Sequence, residues 1–160
     1  MADGTGGARV GSLIPQEHRV GMRTFCLRQS VFPIASGLVF TDGRVMVVHR
    51  SGREELHPDI DSVMRDYVGT AGLLWDKRGE RAHEGAPRLF VFRRFADSHG
   101  VSGPGVAMEG GQWPDGRVVL TWLGPYSSLV HWPDIEQAVT IHGHAGETVL
   151  AWLDELDRAA

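Results

Sequence analysis

GLVFTDGRVMVVH (Gly37–His49) and GGQWPDGRVVLTW (Gly110–Trp122) spell one pattern twice. In each, an aromatic residue and one further residue lead into Asp-Gly-Arg-Val, and an apolar run follows. An Asp-Gly pair between two apolar runs predicts a β-hairpin, because a two-residue turn needs the positive φ angles that such pairs tolerate. Other landmarks recur in the same order. RTFCLR (Arg23–Arg28) answers RLFVFR (Arg88–Arg93), HPDID (His57–Asp61) answers WPDIE (Trp132–Glu136), and Trp75 answers Trp152. The spacing between counterparts grows along the chain, which requires insertions in the second copy. With Val63-Met64 answering Ala138-Val139, five ordered landmarks predict an internal duplication.

The expected fold class is therefore α+β, with two tandem, similar β-rich modules of about four strands and one short helix each. Residues 1–20 read as a flexible Gly-rich lead-in, 21–76 as the first module, 77–87 as a linker and 88–160 as the second module. Alternate apolar residues Phe25 and Leu27, or Phe90 and Phe92, mark a first strand. The runs after Asp-Gly are apolar on both faces and predict covered inner strands. Pro58-Asp59 and Pro133-Asp134 open short helices, with proline in the first turn and carboxylates at the N-terminus. Their buried stripes are expected from Ile60, Val63 and Met64, and from Ile135, Ala138 and Val139. Taken alone, ETVLAWLDELDRAA reads as an amphipathic helix, but its counterpart GLLWDKRGE reads as a strand. The repeat favours a strand at about Thr148–Leu153.

Composition narrows the function classes. The formal net charge is -4, so no long-range attraction draws the chain to nucleic acid or an anionic membrane. Cys26 is the single cysteine, which removes an intramolecular disulfide and a thiolate-rich zinc site, and its apolar setting predicts a buried thiol. No stretch has the length of a signal peptide core or a bilayer span, so a cytoplasmic location without membrane association is expected.

The second half concentrates histidine and glycine in SHGVSGPGV (Ser98–Val106) and IHGHAGE (Ile141–Glu147). Two imidazoles one residue apart, His142 and His144, could reach one zinc ion, with His99 or His131 as a third ligand. The bland alternative, a turn that ends a helix, is favoured for IHGHAG; ligand recognition ranks second and metal or acid–base chemistry third. The turn is expected at Gly143 and Gly146, with His142 facing inward near Trp132 and His144 exposed. SGPG has neither the lysine nor the spacing of a phosphate-binding loop, and Ser102, Ser127 and Ser128 lie in no nucleophile elbow. Trp122 is expected in the core; Trp113, before the hairpin turn, and Trp132, before the helix, stand where either could be partly exposed.

GVSGPG (Gly100–Gly105), WPDGRVVLTW (Trp113–Trp122) and IHGHAGET (Ile141–Thr148) together resemble the pattern of a small prokaryotic domain family from actinobacteria, haloarchaea and their phages. The resemblance covers about Phe95–Asp154 and implies no activity and no catalytic residues. The first half departs from it by lacking both the SGPG and HGH segments.

No stretch combines a nucleophile, a base and an orienting group at recognisable spacing. The expected function is a non-enzymatic binding or adaptor protein with its surface on the second module. Candidate binding residues are Ser102, Gly103, Gly105, Trp113, His131, Trp132, His142 and His144. The expected partner is an unidentified protein or small molecule; homodimer formation is left open and no cofactor is expected. The alternative is a small metal-dependent hydrolase using His142 and His144. A third reading is a nucleic-acid-associated accessory protein.

Overall fold

The computed structural model describes residues 21–95, 105–125 and 127–159. The lead-in and most of the GVSGPG segment, including Ser102 and Gly103, lie outside the described residues.

The first sheet contains β1 (Arg23–Gln29), β2 (Phe32–Val39), β3 (Val45–His49), β4 (Glu54–His57) and β5 (Gly72–Trp75), with α1 (Ile60–Tyr67) between β4 and β5. The second contains β6 (Arg88–Arg94), β7 (Gly105–Gln112), β8 (Val118–Trp122), β9 (Leu129–Trp132) and β10 (Thr148–Trp152). Its helices are α2 (Ile135–His142), before β10, and α3 (Leu153–Ala159), after it. Spatial order is β4-β3-β2-β1-β5 in one sheet and, read from the matching edge, β9-β8-β7-β6-β10 in the other. Every pairing is antiparallel. The likeness extends to irregularities. The β1–β2 ladder shifts register between Leu27 and Arg28, and the β6–β7 ladder shifts between Phe92 and Arg93. Phe25 pairs with Trp75 as Phe90 pairs with Trp152, and Arg23 and Arg88 each stack on the tryptophan of their own sheet.

The Asp-Gly hairpins close differently from the two-residue expectation. Gly43 N–H donates to Phe40 O at 2.9 Å and Phe40 N–H to Arg44 O at 2.9 Å, so three residues, Thr41 to Gly43, form the loop. Trp113 and Gly116 repeat this arrangement with Arg117. Only the glycine has positive φ, 92° at Gly43 and 96° at Gly116. The aspartate instead accepts from the Arg44 or Arg117 backbone and side chain. A three-residue loop with its last residue left-handed meets the strand twist, and Pro114 suits the first turn position.

The helix starts also differ by one position. Asp59 and Asp134 are themselves the N-caps, accepting from Ser62 N at 2.7 Å and Gln137 N at 2.8 Å. Pro58 and Pro133 therefore precede the helices. The carboxylates satisfy amides that the first turn leaves open. The buried stripes run through Ile60, Val63 and Tyr67, and through Ile135, Ala138 and His142, while Met64 and Val139 are exposed. Two-turn helices lying on a sheet bury a narrow seam, so the residue after the central contact turns outward.

The two sheets pack face to face, with one helix on each outer face. Phe25, Leu27, Ala35, Val45 and Val47 face Val63 of α1, and Phe90, Phe92, Met108, Val118 and Leu120 face Ala138 of α2. Between the sheets lie Leu38, Phe40, Met46 and Val48 from the first and Val91, Trp113 and Val119 from the second. The terminal ambiguity resolves into both elements. Thr148–Trp152 pairs with β6, then the chain turns helical at Leu153, whose side chain joins Leu156 against the inter-sheet core. Trp113 is 3 % exposed, because the opposite sheet covers the hairpin position that looked open in the sequence.

A buried carboxylate fixes the sheets' relative position. Glu109, fully buried on β7, accepts from Thr41 N at 2.6 Å and Thr41 Oγ1 at 2.5 Å at the tip of the first sheet's hairpin. Arg44 reaches Thr121 Oγ1 at 2.6 Å beside it. An ionised group can be buried only when such partners replace water.

Trp113→Ala should lower unfolding free energy by about 3–5 kcal/mol, measured by urea titration. An unchanged midpoint would show that the sheets do not depend on this contact. Thr41→Val, which leaves the Glu109 carboxylate short of a donor, should cost about 1–3 kcal/mol. A thermal shift no larger than that of the exposed Thr70→Val would refute the anchoring role of Thr41.

Candidate functional site

Corresponding element ends carry different chemistry on the two outer faces. β3 ends on His49 and β8 on Trp122; β4 ends on His57 and β9 on Trp132; α1 ends on Tyr67 and α2 on His142. The second residue of β4 is Glu55, and that of β9 is Val130.

In the first sheet these positions form a polar network. Tyr67 O–H donates to Glu55 Oε2 at 2.7 Å, and its oxygen lies 2.8 Å from His49 Nε2. His57 lies between Glu55 Oε2 and Ser62 Oγ, each at 3.2 Å. Burial opposes ionisation of Glu55, but hydrogen bonds from Tyr67 and His57 outweigh it and hold the carboxyl below its usual range. Burial and the same carboxylate push the Tyr67 phenol well upward. The network satisfies itself.

In the second sheet the same positions form an aromatic enclosure around one imidazole. Trp122, Trp132 and Phe92 meet the His142 ring edge-on, with centroids 5.6, 5.5 and 6.0 Å away. Trp132 Nε1–H donates to His142 Nε2 at 3.2 Å. Indole nitrogen can only donate, so Nε2 carries no proton and the ring is neutral with its proton on Nδ1. Burial, with a smaller contribution from His144, lowers the His142 pKa below the ordinary imidazole value.

The predicted residues separate into distinct places. His142 is buried and His144 exposed, and the Trp132 bond occupies Nε2 of His142. Among the described residues no group of three or more His, Cys, Asp or Glu is placed to hold a metal. The turn is left-handed at His144, Ala145 and Gly146, with φ of 43°, 54° and 96°. Gly143 is right-handed instead; glycine is needed there because a Cβ would stand 2.6 Å from Val139 O. Gly105 pairs with Arg94, which also pairs with Thr148, so Gly105 and the first residue of β10 lie on one row of the sheet. Trp113 lies between the sheets, offering no ligand surface.

His131 and Trp132 line a cleft of about 360 Å³ at the seam between the sheets, with Glu54, Asp115, Arg117, Val118 and Pro133. Glu54, on the first sheet's edge strand, binds Arg117 Nη1 through Oε1 at 2.8 Å and His131 Nε2 through Oε2 at 3.0 Å. Arg117 also reaches Asp115 Oδ2 at 2.8 Å and Gly52 O at 2.9 Å. One carboxylate thus positions two cationic-capable groups beside an indole. Pair by pair such half-exposed bridges contribute about 1 kcal/mol or less; their effect is orientation. Sequence reading missed Glu54 and Arg117. Arg117 carried a signal as part of the repeated Asp-Gly-Arg, whereas Glu54 carried none, because its partners lie on the other sheet.

His142 supplies a pH dependence of known sign. Its folded pKa is depressed, so the unfolded chain binds the proton more tightly. Its contribution is present in full above the unfolded imidazole pKa and is lost as pH falls through the folded value. The thermal midpoint should fall between about pH 7.5 and about pH 5, and His142→Phe should flatten that fall. An equally steep fall in the variant would assign the dependence to other groups.

No helix among the described residues is long and apolar enough to cross a membrane. The searches of curated proteins and of solved structures matched nothing. Residues 87–154, less than half of the chain, match the model of a family described as Acb5 phage protein. The second sheet, with α2 and the start of α3, is therefore similar to a small phage protein domain.

Proposed function

We propose that the protein is a binding or adaptor protein whose ligand or partner surface lies on the second module, at the cleft lined by Arg117, His131 and Trp132. The observation that carries this reading is the Glu54 bridge, which holds Arg117 and His131 ready beside an indole. Groups oriented before binding lose less freedom when a ligand arrives. An anionic group on the ligand can take the place of the Glu54 carboxylate against the guanidinium and imidazole.

We also propose that residues 21–76 and 88–160 are copies of one ancestral unit joined by 77–87. Shared strand order and the matching register shifts support this. The second copy then keeps the phage-type pattern with its HGH turn, while the first carries the polar network of Glu55.

The binding reading is tested with isotopically labelled full-length protein titrated with a panel of small carboxylates, phosphates and amines. Shifts should concentrate on the Trp132 indole N–H, His131 and Arg117, and His131→Ala should weaken binding about tenfold. Shifts confined to other regions, or no shift with any member of the panel, would refute this location.

A further inference from the structure

At the opposite edge of the first sheet, segment 76–87 folds back over the inner face. His83 is placed between Ser36 and Asp76. His83 Nδ1 lies 2.8 and 2.9 Å from the Asp76 oxygens, and Nε2 lies 2.8 Å from Ser36 Oγ. A carboxylate only accepts, so Nδ1–H donates to Asp76, and whenever the ring carries that single proton Nε2 is the atom that accepts from the Ser36 hydroxyl. Asp76 is held in turn by Thr24 Oγ1 at 2.6 Å and the His83 backbone N–H at 3.0 Å. Each group is oriented by the next. This is the relation of nucleophile, base and orienting carboxylate, recognised by geometry and not by chain order.

The surroundings suit a small acyl group. Asp76 and His83 line a cleft of about 280 Å³ with Cys26, Pro33, Leu74 and Trp75, which are largely apolar, and with Arg28 and Glu84. Ser36, 8 % exposed, pairs directly with Cys26 across β1 and β2, so it lies behind the part of the cleft wall that Cys26 and His83 form, on the same sheet face. Gly85 has φ of 93°, and a Cβ there would stand 3.4 Å from Ser36 Oγ. The Gly85 backbone therefore packs close to the buried hydroxyl, with no side chain of its own between them.

We propose that Ser36 is a nucleophilic serine activated by His83, with Asp76 and Thr24 as positioning residues, and that it accepts acyl groups from small esters. Ser36 Oγ bonds to the ester carbonyl carbon as its proton passes to His83 Nε2. The ester C–O bond breaks, and that proton leaves on the alcohol. Water then adds to the acyl carbon, giving a proton to His83. The Ser36–acyl bond breaks, the proton returns to Ser36, and a carboxylic acid departs. This activity is separate from the seam cleft, which shares none of these residues.

The test uses the full chain with a fluorophosphonate probe and, separately, a short-chain nitrophenyl ester. Peptide mass mapping should place one adduct on Ser36, and nitrophenol release should begin with a burst. Ser36→Ala should abolish both. His83→Ala and Asp76→Asn should slow labelling about 10²–10⁴-fold, while Asp76→Glu should restore part of the rate, with circular dichroism unchanged in each variant. Absence of an adduct on Ser36, or labelling as fast in His83→Ala as in the parent, would overturn the proposal. Should a variant unfold, the parent's adduct position and its competition by the ester decide the matter alone.

Discussion

The inner face of each sheet can leave water only against the other sheet. Leu38, Phe40 and Met46 on one side and Val91, Trp113 and Val119 on the other form one apolar layer. Each side chain stabilises by about 1.5–3 kcal/mol when fully buried, and five strands with a single short helix bury too little surface alone. Everything else follows from this joint burial. It forces Glu109 into the interior, and Thr41 from the facing hairpin supplies the hydrogen bonds that make an interior carboxylate tolerable. It also brings the edge strand with Glu54 beside the hairpin with Arg117, producing the seam cleft.

With the frame set by the inner layer, the outer faces are free to differ. Three element ends and one strand position carry His49, His57, Tyr67 and Glu55 in one sheet and Trp122, Trp132, His142 and Val130 in the other. The first set satisfies its polar atoms mutually; the second surrounds its one imidazole with rings and a single indole donor. Both solutions obey the rule that buried polar groups find partners. They differ in what they leave at the surface. The aromatic solution commits the Trp132 nitrogen inward and turns the neighbouring His131 toward the seam.

The ends of the inner layer are closed by unlike devices. In the second sheet, α3 folds across, with Leu153 and Leu156 packed on the shared core and Arg88 held by Asp154 and Glu155. In the first, segment 76–87 occupies the corresponding side and inserts His83 against Ser36. A polar closure needs hydrogen bonds where an apolar one needs area. That difference is why a serine, an imidazole and a carboxylate converge there.

Strand alternation, the Asp-Gly hairpins and the recurrence of landmarks are local features, legible in the sequence alone. They determined two β-rich modules, a short helix after each Pro-Asp pair (though not its first residue), the inward imidazole of His142 and the exposed one of His144. Loop chemistry was legible only in part: Asp-Gly marks a turn, but the hydrogen bonds of Phe40 and Trp113 decide its length. Tertiary structure alone decided which apolar residues were covered. Trp113 is buried by the opposite sheet, and Met64 and Val139 are exposed because two-turn helices present a narrow seam. It alone joined Glu54 to Arg117 and His131, and Ser36 to His83 and Asp76. These residues are far apart in the chain, carry no periodicity and meet only through packing, whereas periodicity records a residue's own element and nothing of the surface that element will meet.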